Sequence, residues 1–158
     1  MRNRYLSGVL FALLVSVNAQ DKDNEAVTQI ITSFFKAFHN KDSLGMKPFM
    51  ADEVVLQTTG RDQEGNTRFH TQPVDQFYES LAGIPDSIVF EEKLLSWNVK
   101  VDRTIANAWV GYEFWWNGNF SHCGINSFQL VNFNGEWKIV YLIDTRGRAG
   151  CDPKQPQG

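Results

Sequence analysis

Residues 87–145 carry one pattern four times over: β-branched and aromatic segments at 88–101, 105–116, 124–133 and 136–145, separated by short turns. Strands joined by such short turns run antiparallel, because a parallel connection needs a dozen or more residues to cross over. Asn134-Gly135, between the last two segments, is a two-residue hairpin signal, since both residues tolerate the positive φ of a type I′ turn. That turn places Phe133 opposite Glu136. Trp137, Ile139, Tyr141 and Ile143 are then expected on one face with Asn132, Leu130, Phe128 and Asn126, and Lys138, Val140, Leu142 and Asp144 on the other.

The first half of the chain reads as helix. Val27, Ile30, Ile31, Phe34, Phe35 and Phe38 form one apolar stripe at helical spacing, with Gln29, Thr32, Lys36 and Asn40 off it, which predicts an amphipathic helix over residues 23–40. Asp42 or Ser43 can cap a short second helix through about Met50, ahead of a β-branched strand at 53–59. Residues 60–66 form a polar turn. Pro73 opens a third helix carrying Val74, Phe77, Tyr78 and Leu81, which Gly83 and Pro85 stop. Helices gathered ahead of a meander make one α+β domain, and 42% hydrophobic residues among 158 suffice to give it a core.

The N-terminus has two arginines, an apolar run over residues 5–17 and Val17-Asn18-Ala19, the pattern of a signal peptide (1–19) cleaved after Ala19. The run is shorter than the ~20 residues of a membrane span. The expected organisation is therefore signal peptide, a domain over 20–147 and a C-terminal tail over 148–158, exported to a periplasm or the exterior with no membrane insertion after cleavage. Without Arg2 and Arg4 the chain keeps 13 basic and 18 acidic residues, a net charge of −5. Nothing in that balance suits a nucleic-acid partner, which needs a basic excess. An even pair of cysteines in an exported chain most simply forms one disulfide, so Cys123 and Cys151 are expected to bridge and tie the tail to a strand, contributing roughly 3–4 kcal/mol.

This order of elements resembles the nuclear transport factor 2-like superfamily, whose curved-sheet cone is shared with SnoaL-like cyclases and ketosteroid isomerase. The resemblance runs over about residues 23–146 and is carried by ITSFFKAFHNKD at 31–42, by Ala51-Asp52-Glu53-Val54 and by Gly135-Glu136-Trp137-Lys138-Ile139-Val140. Phe120-Ser121-His122-Cys123-Gly124 and Tyr141-Leu142-Ile143-Asp144-Thr145-Arg146 look like exported members from Bacteroidetes-type bacteria, mostly of unassigned activity. The resemblance implies a cone-shaped antiparallel sheet packed on a long N-terminal helix and two shorter ones. It also implies a pocket between the first helix and the sheet, and an acid/base role for Asp144, which stands near the position of the cyclases' catalytic aspartate. A dry pocket would raise that carboxyl's pKa toward neutrality.

Tyr112, Asn126, Tyr141 and Trp116 are the candidate ligand contacts in an aromatic cup; each is also a plausible core residue with a satisfied polar tip. His39, His70 and His122 lie 31 and 52 residues apart with no metal-binding spacing, so neither a metal nor another cofactor is expected. His122 beside Cys123 suggests thiolate activation, but neighbours on a strand face opposite ways and a disulfide would consume the thiol. Asp62, Glu64 and Asn66 only faintly resemble a calcium loop. Five Trp between Trp97 and Trp137, on strands apolar on both faces, suggest a homodimer. Three functions follow: a binding module for a small apolar or aromatic ligand, an isomerase, cyclase or dehydratase using Asp144, or an interaction module with a filled core.

Overall fold

The computed structural model describes residues 6–148 together with Gly150 and Cys151. Residues 1–5 of the expected signal peptide, and residues 149 and 152–158 of the expected tail, lie outside the described residues. Helix α1 (Leu6–His39) begins earlier than the amphipathic stripe predicts and runs unbroken through the expected cleavage point, since neither Gly nor Pro interrupts residues 9–39. Among the described residues no helix is long and apolar enough to cross a membrane.

Helix α2 (Ser43–Met46) is capped by Asp42, whose carboxylate accepts the Gly45 N–H at 2.7 Å. A 3₁₀ turn, Lys47–Phe49, leads into β1 (Met50–Arg61). A second strand, β2 (Thr67–Gln72), follows where no strand is expected from the sequence. It is an edge strand exposed on both faces, so it lacks the alternating apolar residues that betray half-buried strands. Backbone pairing with β1 and the Asp62 turn hold it, Asp62 Oδ1 accepting the N–H groups of Glu64 at 3.0 Å and Asn66 at 2.9 Å. Helix α3 (Val74–Ala82) lies between Pro73 and Gly83 as expected. Strands β3 (Phe90–Asp102), β4 (Ile105–Trp116), β5 (Asn119–Phe133) and β6 (Glu136–Arg146) form the meander.

The sheet order is β2-β1-β6-β5-β4-β3, antiparallel at every pair except β1 with β6, which is parallel. One face is packed on α1: Val27, Ile31, Phe34 and Phe35 meet Ala108, Val110, Phe128, Leu130 and Ile139 in a single core. Phe34 and Phe35 both meet the Phe128 ring edge-on, at 6.2 and 6.1 Å between centroids. The expected space between the first helix and the sheet is therefore filled by side chains along this layer.

The hairpin at Asn134-Gly135 forms with both residues at positive φ, and Phe133 pairs with Glu136 as predicted. The register then changes. Gln129 pairs with Tyr141 and Leu130 with Ile139, so Val140 is an extra residue in β6. Such a bulge exchanges the faces of every residue beyond it. Trp137 and Ile139 share a face with Leu130 and Phe128 as predicted, and that face is the core; Leu142 and Asp144 join it, while Tyr141 and Ile143 turn outward.

Candidate functional site

The exchange of faces brings Asp144 into line with Asn126 on β5 and Thr58 on β1, at the end of the core beyond Phe128. Tyr112 on β4 joins them, and a polar cluster results on the face otherwise occupied by the core. Asp144 accepts from three donors: the Thr58 hydroxyl, the Tyr112 hydroxyl at 3.2 Å and Arg146 Nε at 2.7 Å. The Tyr112 hydroxyl also lies 2.9 Å from the Thr145 carbonyl oxygen. Asn126 Nδ2 donates to Glu92 Oε1 on β3 at 2.5 Å. Tyr112, Asn126 and Asp144 are all buried, and each buried polar tip has a partner, which removes the desolvation penalty of leaving one unpaired.

Glu92 has no place among the sequence-derived candidates. Part of its surface is exposed, but its carboxyl is enclosed. Burial pushes that carboxyl up to about 7, and the charge of Asp144 adds to the rise, against the Asn126 hydrogen bond and the Arg146 charge. Burial and the same two carboxylates drive the Tyr112 hydroxyl upward as well, so it stays protonated. His122 stacks on Phe114 at 5.0 Å and meets Tyr112 edge-on at 5.8 Å. Burial, then the flanking charges of Arg146 and Arg148, lower its proton affinity. His39, at the end of α1, accepts the Glu92 N–H through Nε2 at 2.9 Å.

Of the candidates named from sequence, Tyr112, Asn126 and Asp144 converge here and two do not. Tyr141 sits on the opposite face, its hydroxyl donating to Gln57 Oε1 at 2.5 Å, because the Val140 bulge lies before it. Trp116 is at the far end of β4, stacked on Phe90 at 6.1 Å. Cys123 and Cys151 are joined in a disulfide.

A cleft of about 1200 Å³ opens on the sheet face away from α1. Its wall is the outward row Leu95, Trp109 and Ile125, and at its rim it reaches Tyr112, His122 and Arg146 of the polar cluster. Gly111 and Gly124 lie along it: a Cβ on Gly124 would collide with the Thr145 carbonyl, whereas one on Gly111 would meet the Ser96 hydroxyl, which can rotate away. Gly147, Arg148, Gly150 and Cys151 close one side. A smaller cleft, about 600 Å³, lies between α1 and the β5–β6 hairpin.

No protein-family model matches the chain, and no curated protein sequence does either. Solved structures do. A nuclear transport factor 2-like protein of unknown function from Shewanella baltica superposes with a TM-score of 0.59 at 14% identity, over 81% of this chain and 96% of its own. A nuclear transport factor 2-like protein from Cytophaga hutchinsonii gives 0.62 at 11% identity, over 78% and 97%. The chain has the nuclear transport factor 2-like fold. A candidate dehydratase of the nuclear transport factor 2-like family from Streptomyces avermitilis is equally similar, with a TM-score of 0.62 at 16% identity, over 82% and 99%. At these identities the similarity is one of fold, and a nuclear transport factor 2-like fold hosts unrelated chemistries. The chain's own site must supply the function.

Proposed function

We propose that this protein is an exported binding module that holds a small apolar or aromatic molecule in the cleft on the outer sheet face. The cleft itself carries the proposal. At about 1200 Å³ it is large enough for a small ligand. It presents Leu95 and Trp109, two large apolar side chains 40% and 44% exposed, beside polar groups whose geometry is already fixed. Export is supported by the arginine-led apolar N-terminus and by the disulfide, a bond favoured in oxidising compartments. Native mass spectrometry on residues 20–158, purified from an exporting host without reductant, tests the proposal. A retained small molecule that is lost from Trp109→Ala is expected; retention unaffected by that substitution places the ligand elsewhere and overturns the proposal.

Acid/base catalysis is favoured by one separate observation, the enclosed Glu92 carboxyl beside Asp144. As an isomerase, cyclase or dehydratase the protein would use Glu92 to carry the proton, while Asp144, held by three donors, positions Tyr112 and Arg146. Binding ranks first because the open space touches Tyr112, His122 and Arg146 but not Glu92. Loss of turnover in Glu92→Gln with ligand retention intact would reverse that order. A homodimer is proposed through the part of the outer face beyond the cleft, where Val55 and Ile105 are exposed.

A further inference from the structure

The outer cleft is not evenly apolar. Its wall of Leu95, Trp109 and Ile125 ends at a rim carrying Arg61, Arg146 and Arg148. Two carboxylates, Asp62 and Glu113, also line it, and both are engaged. Asp62 faces Arg68 at 3.4 Å and accepts two backbone N–H groups. Glu113 accepts the Trp115 indole N–H at 3.0 Å. Among the arginines, Arg146 is turned to Asp144 and Arg61 donates to the Gly65 carbonyl at 2.9 Å. Arg148 is exposed and, among the described residues, makes no ion pair.

Arg148 is also held in place. Gly147 exchanges two backbone hydrogen bonds with Cys123, each 2.9 Å, which extends the β5–β6 pairing past the end of β6. Gly150 takes a left-handed φ of +76°, turning the chain back so that Cys151 reaches Cys123 in the disulfide. Arg148 thus lies between two anchors to Cys123, the backbone pair at Gly147 before it and the disulfide at Cys151 after it. The backbone's share of the ordering cost on ligand binding is thereby reduced, and the side chain's own rotamer freedom is what the contact must overcome.

We infer that the cleft selects an amphipathic anion, its apolar or aromatic body lying on Leu95, Trp109 and Ile125 and its acidic group meeting Arg148, which the Cys123–Cys151 disulfide clasps at the rim. The inference rests on the ligand cleft proposed above and adds the class of ligand and the part played by the disulfide. A guanidinium suits a carboxylate or sulfonate because its parallel N–H donors match two acceptor oxygens. A neutral molecule of the same shape leaves that contact unused.

Two fluorescent probes separate the terms: anilinonaphthalene sulfonate and its uncharged parent, N-phenylnaphthylamine, titrated into protein purified from an exporting host. In the oxidised protein the sulfonate is expected to bind about tenfold more tightly than the parent, the size of one charge-assisted contact. Arg148→Gln should bring that ratio near one while leaving the parent's affinity unchanged, and so should reduction of the disulfide. Trp109→Ala should weaken both probes together. Equal affinity for the two probes in the unaltered protein, or a preference that survives Arg148→Gln, overturns the inference while the ligand cleft stands. A preference that survives reduction overturns the clasp. Failure of both probes to bind, or binding indifferent to Trp109→Ala, removes the cleft as a ligand site and the inference with it; a second copy covering the face is then the occupant.

Discussion

Glu92 is a carboxyl whose folded-state pKa, about 7, lies above its ordinary value of 4.5. The folded protein therefore binds this proton more tightly than the unfolded chain does, and the associated stability is complete below pH 4.5 and lost as pH rises toward 7. Glutamine keeps the oxygen that Asn126 donates to and never ionises. Glu92→Gln should accordingly leave stability nearly unchanged at pH 4 and raise it at pH 8, by roughly 2–3 kcal/mol. Thermal unfolding at the two pH values checks this; equal effects at both would mean that Glu92 does not titrate in the folded range. No pattern in the sequence singles out Glu92. It lies in a run with Glu91 and Lys93 that reads as a solvated face, and what distinguishes it from exposed Glu91 is above all the burial of its carboxyl, then its neighbours across the sheet, Asn126 and Asp144. Asp144, Tyr112 and Asn126 were legible because a polar residue amid a strongly apolar strand is unusual, and the resemblance to a known superfamily placed Asp144 among them.

At the scale of elements, two devices shape the site. The first is the Val140 bulge, which carries Asp144 onto the core face and turns Tyr141 away from it. A two-residue turn sets the register only until an extra residue interrupts it, and nothing in the alternation of residues 136–145 marks where that happens. The second is the close approach of β5 to β6 at Gly124, where a Cβ would occupy the space of the Thr145 carbonyl oxygen. Gly124→Ala should part these strands, loosening the Tyr112–Thr145–Asp144 contacts and the disulfide-bearing end of β5. A loss of roughly 1–3 kcal/mol is expected, as for other overpacked sites, with the midpoint of urea unfolding as the measure; an unchanged midpoint would show that the strands can separate without cost. The start of β5 at Asn119 was available to sequence reasoning. Asn117-Gly118 is a second Asn-Gly turn, both residues at positive φ, and it repeats the signal that correctly located Asn134-Gly135.

For the whole molecule, the central question is what covers the outer face of the sheet. Val55, Leu95, Ile105 and Trp109 are exposed there, a set of side chains seldom left bare together on a monomer. Light scattering on residues 20–158 is expected to return twice the chain mass, and Ile105→Lys should shift it toward the monomer; a monomer mass across a wide concentration range would contradict the homodimer. The sequence by itself determined the order of helices and strands, the amphipathic first helix, the hairpin at Asn134-Gly135 and the cysteine pair, because each follows from local spacing, turn chemistry or an even count. Tertiary structure alone decided the pairing of β1 with β6, the exposed edge strand β2, the face on which Asp144 lies, the raised pKa of Glu92 and the position of the cleft. Each of these depends on residues distant in the chain meeting across the sheet, where one extra residue exchanges the faces and one buried neighbour shifts a pKa, and neither leaves a periodic trace in the sequence.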